Sequence, residues 1–168
     1  MLYFAYGSNM SIERLQARIS GAIPIGLYTL GKHTLRFHKI GHDLSGKCNA
    51  YFTDNQNDNV IGVAYNIAPR DKTILDTIEG VGNGYDVGCV QITSVAGRIE
   101  SAFTYVATHI DNSLRPYTWY KEHVLRGART AKLPDEYIAK IEVIAAIVDQ
   151  NSERELLEMS IYNDPAPL

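Results

Sequence analysis

Short apolar segments separated by clusters of Gly, Asp and Asn occupy the first two thirds of the chain. Runs of this length, rich in β-branched and aromatic residues and bounded by turn residues, are typical of β-strands. The predicted strands cover residues 2–5, 25–30, 34–38, 49–53, 60–65, 84–95 and 99–109. Asp54 to Asn59 is predicted to be an exposed hairpin loop, and Ala96-Gly97 a turn.

Helical spacing of apolar residues appears after the first strand, again near the middle, and throughout the last third. Ser11 has the position of an N-cap for a helix that ends before Gly21. Pro69 suits the first position of a second helix, which Gly80 would close after Glu79. Three further helices are predicted at residues 117–126, 134–147 and 153–159. The buried stripe of the 134–147 helix should comprise Ile138, Ile141, Ile144, Ala145 and Val148.

This order of elements predicts an α+β fold. Many short strands that are mostly adjacent in sequence favour an antiparallel or mixed sheet, curled into a small β-barrel and flanked by helices. The 168 residues suit a single domain, residues 1–168, with a frayed tail at about residues 160–168.

Composition and charge narrow the classes of partner. Hydrophobic residues make up 45% and charged residues 21%, as in ordinary globular proteins. The net charge of -3 gives no basic surface for nucleic acid or an anionic membrane, so small molecules are the expected partners. The sequence shows no signal peptide and no apolar run of membrane-spanning length, so a cytoplasmic protein is expected. Oligomeric state, monomer or homodimer, stays open.

Cysteine, histidine and glycine patterns exclude several kinds of site. Cys48 and Cys89 are too far apart for a Cys-x-x-Cys motif and are expected to be buried, reduced thiols. The five histidines show no metal-binding spacing, so no metal is predicted. The four glycines between residues 80 and 88 follow a predicted helix, whereas a dinucleotide-binding fingerprint opens one. They predict a turn where the backbone approaches a ligand or another strand closely.

Tyr6-Gly7-Ser8-Asn9 lies where the first strand turns into the first helix. Such a turn can direct unpaired backbone N–H groups at a carboxylate or an oxyanion. Ser8 lacks the Gly-x-Ser-x-Gly context of a nucleophile, so its backbone is the more useful group. An ordinary capped turn would have the same residue types, and loop chemistry alone favours that simpler reading.

Glu79 is the most informative carboxyl group. It is expected at the C-terminal end of a helix, between Ile78 and Gly80, where Lys or Arg would suit the helix dipole better. The negative helix end and the apolar neighbours both disfavour the charged form, which suits a group that accepts and returns a proton near neutral pH. A solvated residue in the last helical turn is the alternative. Four later tyrosines lie on three separate elements and could converge on one pocket with Glu79: Tyr85, Tyr105, Tyr117 and Tyr120. Packing in the core or at its rim, with the hydroxyl at the surface, is the alternative and the usual role of a tyrosine.

These motifs together resemble the γ-glutamyl cyclotransferase family. Residues 2–9, with Tyr-Gly-Ser-Asn at their end, are similar to the family's N-terminal segment. Residues 75–81, which contain Glu79, resemble its catalytic segment, and Tyr85 follows after a stretch one residue shorter than the family pattern. Gly127-Ala128, Leu133-Pro134 and Tyr137 fit its C-terminal helical part, so the resemblance covers about residues 2–145.

The resemblance implies a compact β-barrel enzyme that releases 5-oxoproline from a small-molecule γ-glutamyl substrate without a cofactor. It implies that the backbone of Tyr6, Gly7, Ser8 and Asn9 holds the glutamyl end and that Glu79 is the catalytic acid and base. Tyr85, Tyr105 and Tyr120 correspond to pocket tyrosines. Asn9 resembles the Tyr-Gly-Ser-Asn branch, which acts on γ-glutamyl amino acids, because branches specialised for glutathione or γ-glutamyl-lysine usually have leucine there.

Two other functions remain open at this point. A non-catalytic binding or regulatory module could use the same pocket for a γ-glutamyl or carboxylate ligand. A hydrolase could cleave the same amide and release free glutamate. The leaving amine, whether of an amino acid or of another amine, is not determined by the sequence.

Overall fold

The computed structural model describes residues 1–163, which form seven strands, five α-helices and a one-turn 3-10 helix at Ser8–Met10. Residues 164–168 of the predicted tail lie outside the described residues. The strands are β1 (Leu2–Ala5), β2 (Ile23–Gly31), β3 (His33–Ile40), β4 (Gly46–Phe52), β5 (Asn59–Asn66), β6 (Tyr85–Ser94) and β7 (Ile99–Ala107). The helices are α1 (Ile12–Arg18), α2 (Pro69–Glu79), α3 (Thr118–Thr130), α4 (Asp135–Glu142) and α5 (Ser152–Ser160).

Five strands close into a barrel in the order β1-β5-β2-β6-β7. All pairs are antiparallel except β1 with β7, which closes the barrel in parallel, with Tyr3 opposite Phe103. β3 and β4 form a separate two-stranded sheet. The α+β prediction, a small mixed barrel flanked by helices, is therefore confirmed.

The core lies where β1 meets β5. Phe4 and Tyr65 are almost completely buried, as apolar strand residues in a closed barrel should be. Gly62 permits this packing, because a Cβ atom there would lie 2.3 Å from the carbonyl oxygen of Ala5. β1 is thus buried deep in the molecule, and its C-terminal end opens into the loop at Tyr6–Asn9.

Several helix ends agree with their predicted signals. The Ser11 hydroxyl accepts a hydrogen bond from the backbone N–H of Arg14 and caps α1. Gly80 ends α2 in the left-handed conformation, with φ of 66°. The predicted helix at residues 153–159 is present as α5. None of the helices within residues 1–163 is long and apolar enough to cross a membrane.

Other predictions were wrong about the length of a helix or about which strands pair. Residues 54–59 are exposed except for the partly buried Asp58, but they do not form a hairpin loop, because β4 pairs with β3 whereas β5 pairs with β1 and β2. α3 continues past its predicted end, because Gly127 is an interior position where the helix contacts residues 10–11 closely. α4 ends five residues early, at Glu142.

The early end of α4 has a backbone cause. The N–H of Ile147 donates to the carbonyl of Pro116, and the carbonyl of Ile147 accepts from the N–H of Thr118, so Ile147 bridges to the start of α3 instead of continuing α4. Ala145 and Val148 are exposed as a result, and only the earlier part of the predicted apolar stripe faces the core. Cys48 is buried as predicted, but Cys89 is exposed; both are free thiols.

Candidate active site

An inner cavity of about 30 Å³ lies beside the C-terminal end of β1. Its walls contain all eight residues that the sequence assigned to the site, together with two residues that it did not. The lining residues are Tyr3, Tyr6, Gly7, Ser8, Asn9, Cys48, Glu79, Tyr85, Tyr105 and Tyr120. Residues separated by more than 100 positions in the chain therefore meet in one small space.

The loop that follows β1 forms one wall. After Tyr6 the chain enters the 3-10 helix, whose first hydrogen bond runs from Met10 N–H to the carbonyl of Gly7, at 2.9 Å. No acceptor among the described residues receives a hydrogen bond from the backbone N–H groups of Gly7, Ser8 or Asn9. Gly7 also packs against Cys48, since a Cβ atom there would lie 2.8 Å from the Cys48 Cβ. The loop therefore offers three N–H donors at the cavity wall.

Glu79 enters the cavity from the end of α2. Its Oε1 accepts a hydrogen bond from Asn9 Nδ2 at 3.0 Å and an ion-pair hydrogen bond from Arg18 Nη1 at 2.7 Å. Oε2 has no hydrogen-bond partner among the described residues, and the side chain is 15% exposed. One carboxylate oxygen is thus held in place while the other is available to a ligand.

Asn9 organises this part of the wall. Its Nδ2 also donates to the hydroxyl of Tyr3 at 2.9 Å, and its Oδ1 accepts from Arg18 at 3.0 Å. Asn9 is buried, so these contacts fix its amide and, through it, the orientation of Glu79. Sequence reasoning missed Arg18 as a neighbour of Glu79. The available signal was a basic residue in the last turn of α1, where it is favoured for any helix and so carries little information.

The tyrosines make fixed hydrogen bonds around the cavity. Tyr85 donates to the carbonyl of Cys48 at 2.7 Å, while Tyr120 accepts from the Cys48 N–H at 3.1 Å. Tyr6 donates to the carbonyl of Tyr105, whose own hydroxyl donates to Asp76 at 2.8 Å. The shorter stretch between Glu79 and Tyr85 therefore still brings Tyr85 into the cavity.

Burial controls the ionisation of these side chains. It raises the pKa of Tyr6, Tyr85, Tyr105 and Tyr120 far above the ordinary value for tyrosine. It also raises the pKa of the Cys48 thiol, to about 12. All of these groups are neutral at physiological pH, so they shape the cavity and donate or accept hydrogen bonds without adding charge.

Tyr117, the fourth tyrosine that could have converged on the pocket, does not line the inner cavity. Its hydroxyl donates to the carbonyl of Asp43 at 3.3 Å, and its backbone bridges to Ile147. Conversely, Tyr3 and Cys48 line the cavity although the sequence did not indicate them. Tyr3 lies in the apolar run of a core strand, and a lone cysteine carries no positional signal, so neither could be distinguished from ordinary core residues.

An outer cavity of about 210 Å³ adjoins the inner one. Ser8, Glu79, Tyr85 and Tyr120 line both cavities, so a ligand could extend from one into the other. Unlike the inner cavity, the outer one is rich in charge. Its further lining residues are Arg14, Arg18, Lys39, Gly41, His42, Asp43, Lys47, Ile78, Trp119 and Glu158.

The positions of the histidines and carboxylates bear on two other kinds of site, a metal centre and a nucleophilic serine. Within residues 1–163, no group of three or more His, Cys, Asp or Glu side chains is arranged to hold a metal ion. His38 is buried and hydrogen-bonds to Asn112 and Asn49, at 2.9 Å and 3.1 Å. The inner-cavity lining within the same residues includes no histidine that could act as a base for Ser8.

Comparisons with known proteins agree on one family. The sequence model of the AIG2-like family matches residues 59–141. The chain is 30% identical to a mouse protein named gamma-glutamylcyclotransferase, over 85% of this chain and 78% of that protein. It is 31% identical to the human protein of the same name, with the same coverage. A solved structure described as a gamma-glutamyl cyclotransferase superimposes with a TM-score of 0.82 at 26% identity, covering 94% of this chain and 98% of that one.

Proposed function

Because the chain belongs to the γ-glutamylcyclotransferase family, we propose that it cyclises the γ-glutamyl group of a small substrate and releases 5-oxoproline and a free amine. The substrate's own α-amine attacks its γ-carbonyl carbon. A new C–N bond closes the five-membered lactam, and the bond from that carbon to the leaving nitrogen breaks. The observation that carries the proposal is that Glu79 and the loop Gly7–Asn9 face the same cavity.

Glu79 moves the proton in this reaction. An α-amino group has a pKa of about 8, so at neutral pH most of it is protonated and must lose a proton before it can attack. The free Oε2 of Glu79 accepts that proton, and the same oxygen then donates it to the departing amine. General acid–base catalysis of this kind contributes roughly 10²–10⁴ in rate. Asn9 and Arg18 hold the other oxygen, so the carboxylate needs no reorientation between the two steps.

The loop and the tyrosines position the substrate. The N–H groups of Gly7, Ser8 and Asn9 bind an anionic oxygen, either the α-carboxylate or the oxyanion that forms on the γ-carbonyl. Neutral tyrosines close the remaining walls and fold the flexible glutamyl chain so that its amine meets its carbonyl. The reaction balances with these groups alone and uses no cofactor or metal.

Product analysis with a panel of γ-glutamyl-α-amino acids and γ-glutamyl amines tests the proposal. We expect 5-oxoproline and the free amine in equal amounts, above a blank that measures spontaneous cyclisation. Free glutamate in place of 5-oxoproline would identify a hydrolase. Binding of the panel by calorimetry without any product would identify a non-catalytic binding module.

A further inference from the structure

The charges around the outer cavity are almost, but not fully, balanced. Four cationic side chains line it, and three of them pair with a carboxylate that lines the same cavity. The pairs are Arg14 with Glu158 at 2.5 Å, Arg18 with Glu79 at 2.7 Å, and Lys47 with Asp43 at 2.7 Å. The fourth cation, Lys39, has no carboxylate within 4.0 Å among the described residues.

Lys39 is buried as well as unpaired. Its residue is only 4% exposed, and its ammonium group makes no hydrogen bond to any described residue. Burial lowers the pKa of Lys39, although the charges of Glu79 and Asp43 act in the opposite direction. The ammonium lies 4.7 Å from the centre of the Tyr85 ring and lines the outer cavity, where it is only partly removed from water. An anion bound in the cavity would supply the partner that the described residues do not.

Local structure explains why a lysine is buried here. The pairing of β3 with β4 is irregular between Arg36 and Lys39, and the consecutive residues Phe37, His38 and Lys39 are all buried. Such an irregularity breaks the usual alternation of faces along a strand. Gly84 leaves room for the ammonium, since a Cβ atom there would lie 3.2 Å from Lys39 Nζ. The irregular strand pairing and the space at Gly84 together allow the Lys39 side chain to enter the cavity.

Lys39 also lies at the appropriate end of the site. The leaving nitrogen must meet Glu79 to receive its proton, and Glu79 and Tyr85 line both cavities. The leaving group then extends into the outer cavity, where Lys39 is the cation without a protein partner. In a γ-glutamyl-α-amino acid, the carboxylate carbon of the leaving group is only two bonds from the departing nitrogen.

We propose that Lys39 binds a carboxylate on the leaving amine and thereby selects γ-glutamyl-α-amino acids over γ-glutamyl amines that lack this group. The inference rests on the cyclotransferase function proposed above and adds its specificity-determining residue. Each of the other three cations already has a carboxylate partner that offsets its charge, whereas Lys39 has none among the described residues.

A matched pair of substrates tests the assignment: γ-glutamyl-alanine and γ-glutamyl-ethylamide, which differ only in the carboxylate. We expect the wild-type protein to prefer γ-glutamyl-alanine by roughly 10- to 100-fold in kcat/KM, the range for one charge-assisted hydrogen bond. Lys39→Met should lower kcat/KM for γ-glutamyl-alanine by this factor and leave that for the ethylamide nearly unchanged. Lys39→Arg should keep most of the preference, because it keeps the charge.

Lys32→Met is the control, because Lys32 pairs with Asp54 on the surface and lines neither cavity. Thermal unfolding of each variant establishes that it is folded. The unfolding temperature of Lys39→Met should be no lower than that of the wild type, because the change removes an unpaired, mostly buried cation.

An equal loss of kcat/KM on both substrates in Lys39→Met would assign Lys39 to proton transfer or to folding and overturn the inference. Equal wild-type activity on the two substrates would overturn it without any variant. Absence of 5-oxoproline from both would instead overturn the proposed function, and this inference with it.

Discussion

Replacement of Asn9 by leucine tests the hydrogen-bond network that holds Glu79. Leucine has the same branching and the same number of side-chain heavy atoms as asparagine, but it removes the bonds to Tyr3, Glu79 and Arg18 at 2.9, 3.0 and 3.0 Å. Arg18 and Glu79 remain paired with each other, and water reaches both, because their side chains are 20% and 15% exposed. Tyr3 is 3% exposed and would lose its only side-chain hydrogen-bond partner among the described residues.

The magnitude follows from these environments. A buried hydroxyl left without a partner costs about 1–3 kcal/mol, and a bond to a charged group contributes about 1.5–3 kcal/mol, less where water can replace it. We therefore expect Asn9→Leu to lower the free energy of unfolding by about 2–3 kcal/mol. Tyr3→Phe, added to Asn9→Leu, should recover about 1 kcal/mol, because it removes the orphaned hydroxyl and keeps the ring.

Urea unfolding of the wild type, the two single variants and the double variant measures these values. Tyr3→Phe alone should be destabilising, so the sign of its effect should reverse in the Asn9→Leu background. Stability of Asn9→Leu within about 0.5 kcal/mol of wild type would refute the reasoning. An identical effect of Tyr3→Phe in both backgrounds would show that Asn9 and Tyr3 are not coupled.

Three further predictions concern other parts of the molecule. In the native protein at pH 8, a thiol reagent should label Cys89 alone, because burial raises the pKa of Cys48 to about 12; mass spectrometry should find two labels only after unfolding. Burial lowers the pKa of His123; burial alone would raise the pKa of Glu158, but the neighbouring His123 and Arg14 together bring it down to about 2. Both folded-state pKa values are depressed, so thermal stability should fall as the pH drops below about 6.5, and further below about 4.5; a flat profile would contradict this. Gly127→Ala should destabilise the fold by about 1–3 kcal/mol in urea unfolding, since its Cβ would lie 2.4 Å from a backbone nitrogen at the start of α1, and an unchanged midpoint would disprove the contact.

The elements that sequence predicted well are those with local signals. Ser11 caps α1 by a bond to a residue three positions away, and Gly80 ends α2 through its own backbone conformation. Alternation and turn residues likewise located the strands. The end of α4 at Glu142 depends on hydrogen bonds between Ile147 and residues 116 and 118, and no pattern within residues 134–147 could indicate them.

The same distinction applies to the site. Tyr6–Asn9 and Glu79 stand out because each breaks a local preference or belongs to a recurring motif. Arg18 and Lys39 do not stand out, because a basic residue near a helix end or in a strand is ordinary until its neighbours are known. Their significance lies in contacts across the fold: Arg18 pairs with a carboxylate 61 positions away, and Lys39 is the outer-cavity cation that lacks such a partner among the described residues.

Turnover by Glu79→Gln tests the central claim most directly, because the change removes the proton-accepting oxygen at nearly constant shape. With a γ-glutamyl substrate that the wild type cyclises, we expect 5-oxoproline release to fall by about 10²–10⁴. The variant should stay folded and still bind the substrate by calorimetry, and Glu136→Gln, an exposed position on α4, should keep full activity. Release by folded Glu79→Gln at a rate close to that of the wild type would contradict the account, because the proton would then move through another group.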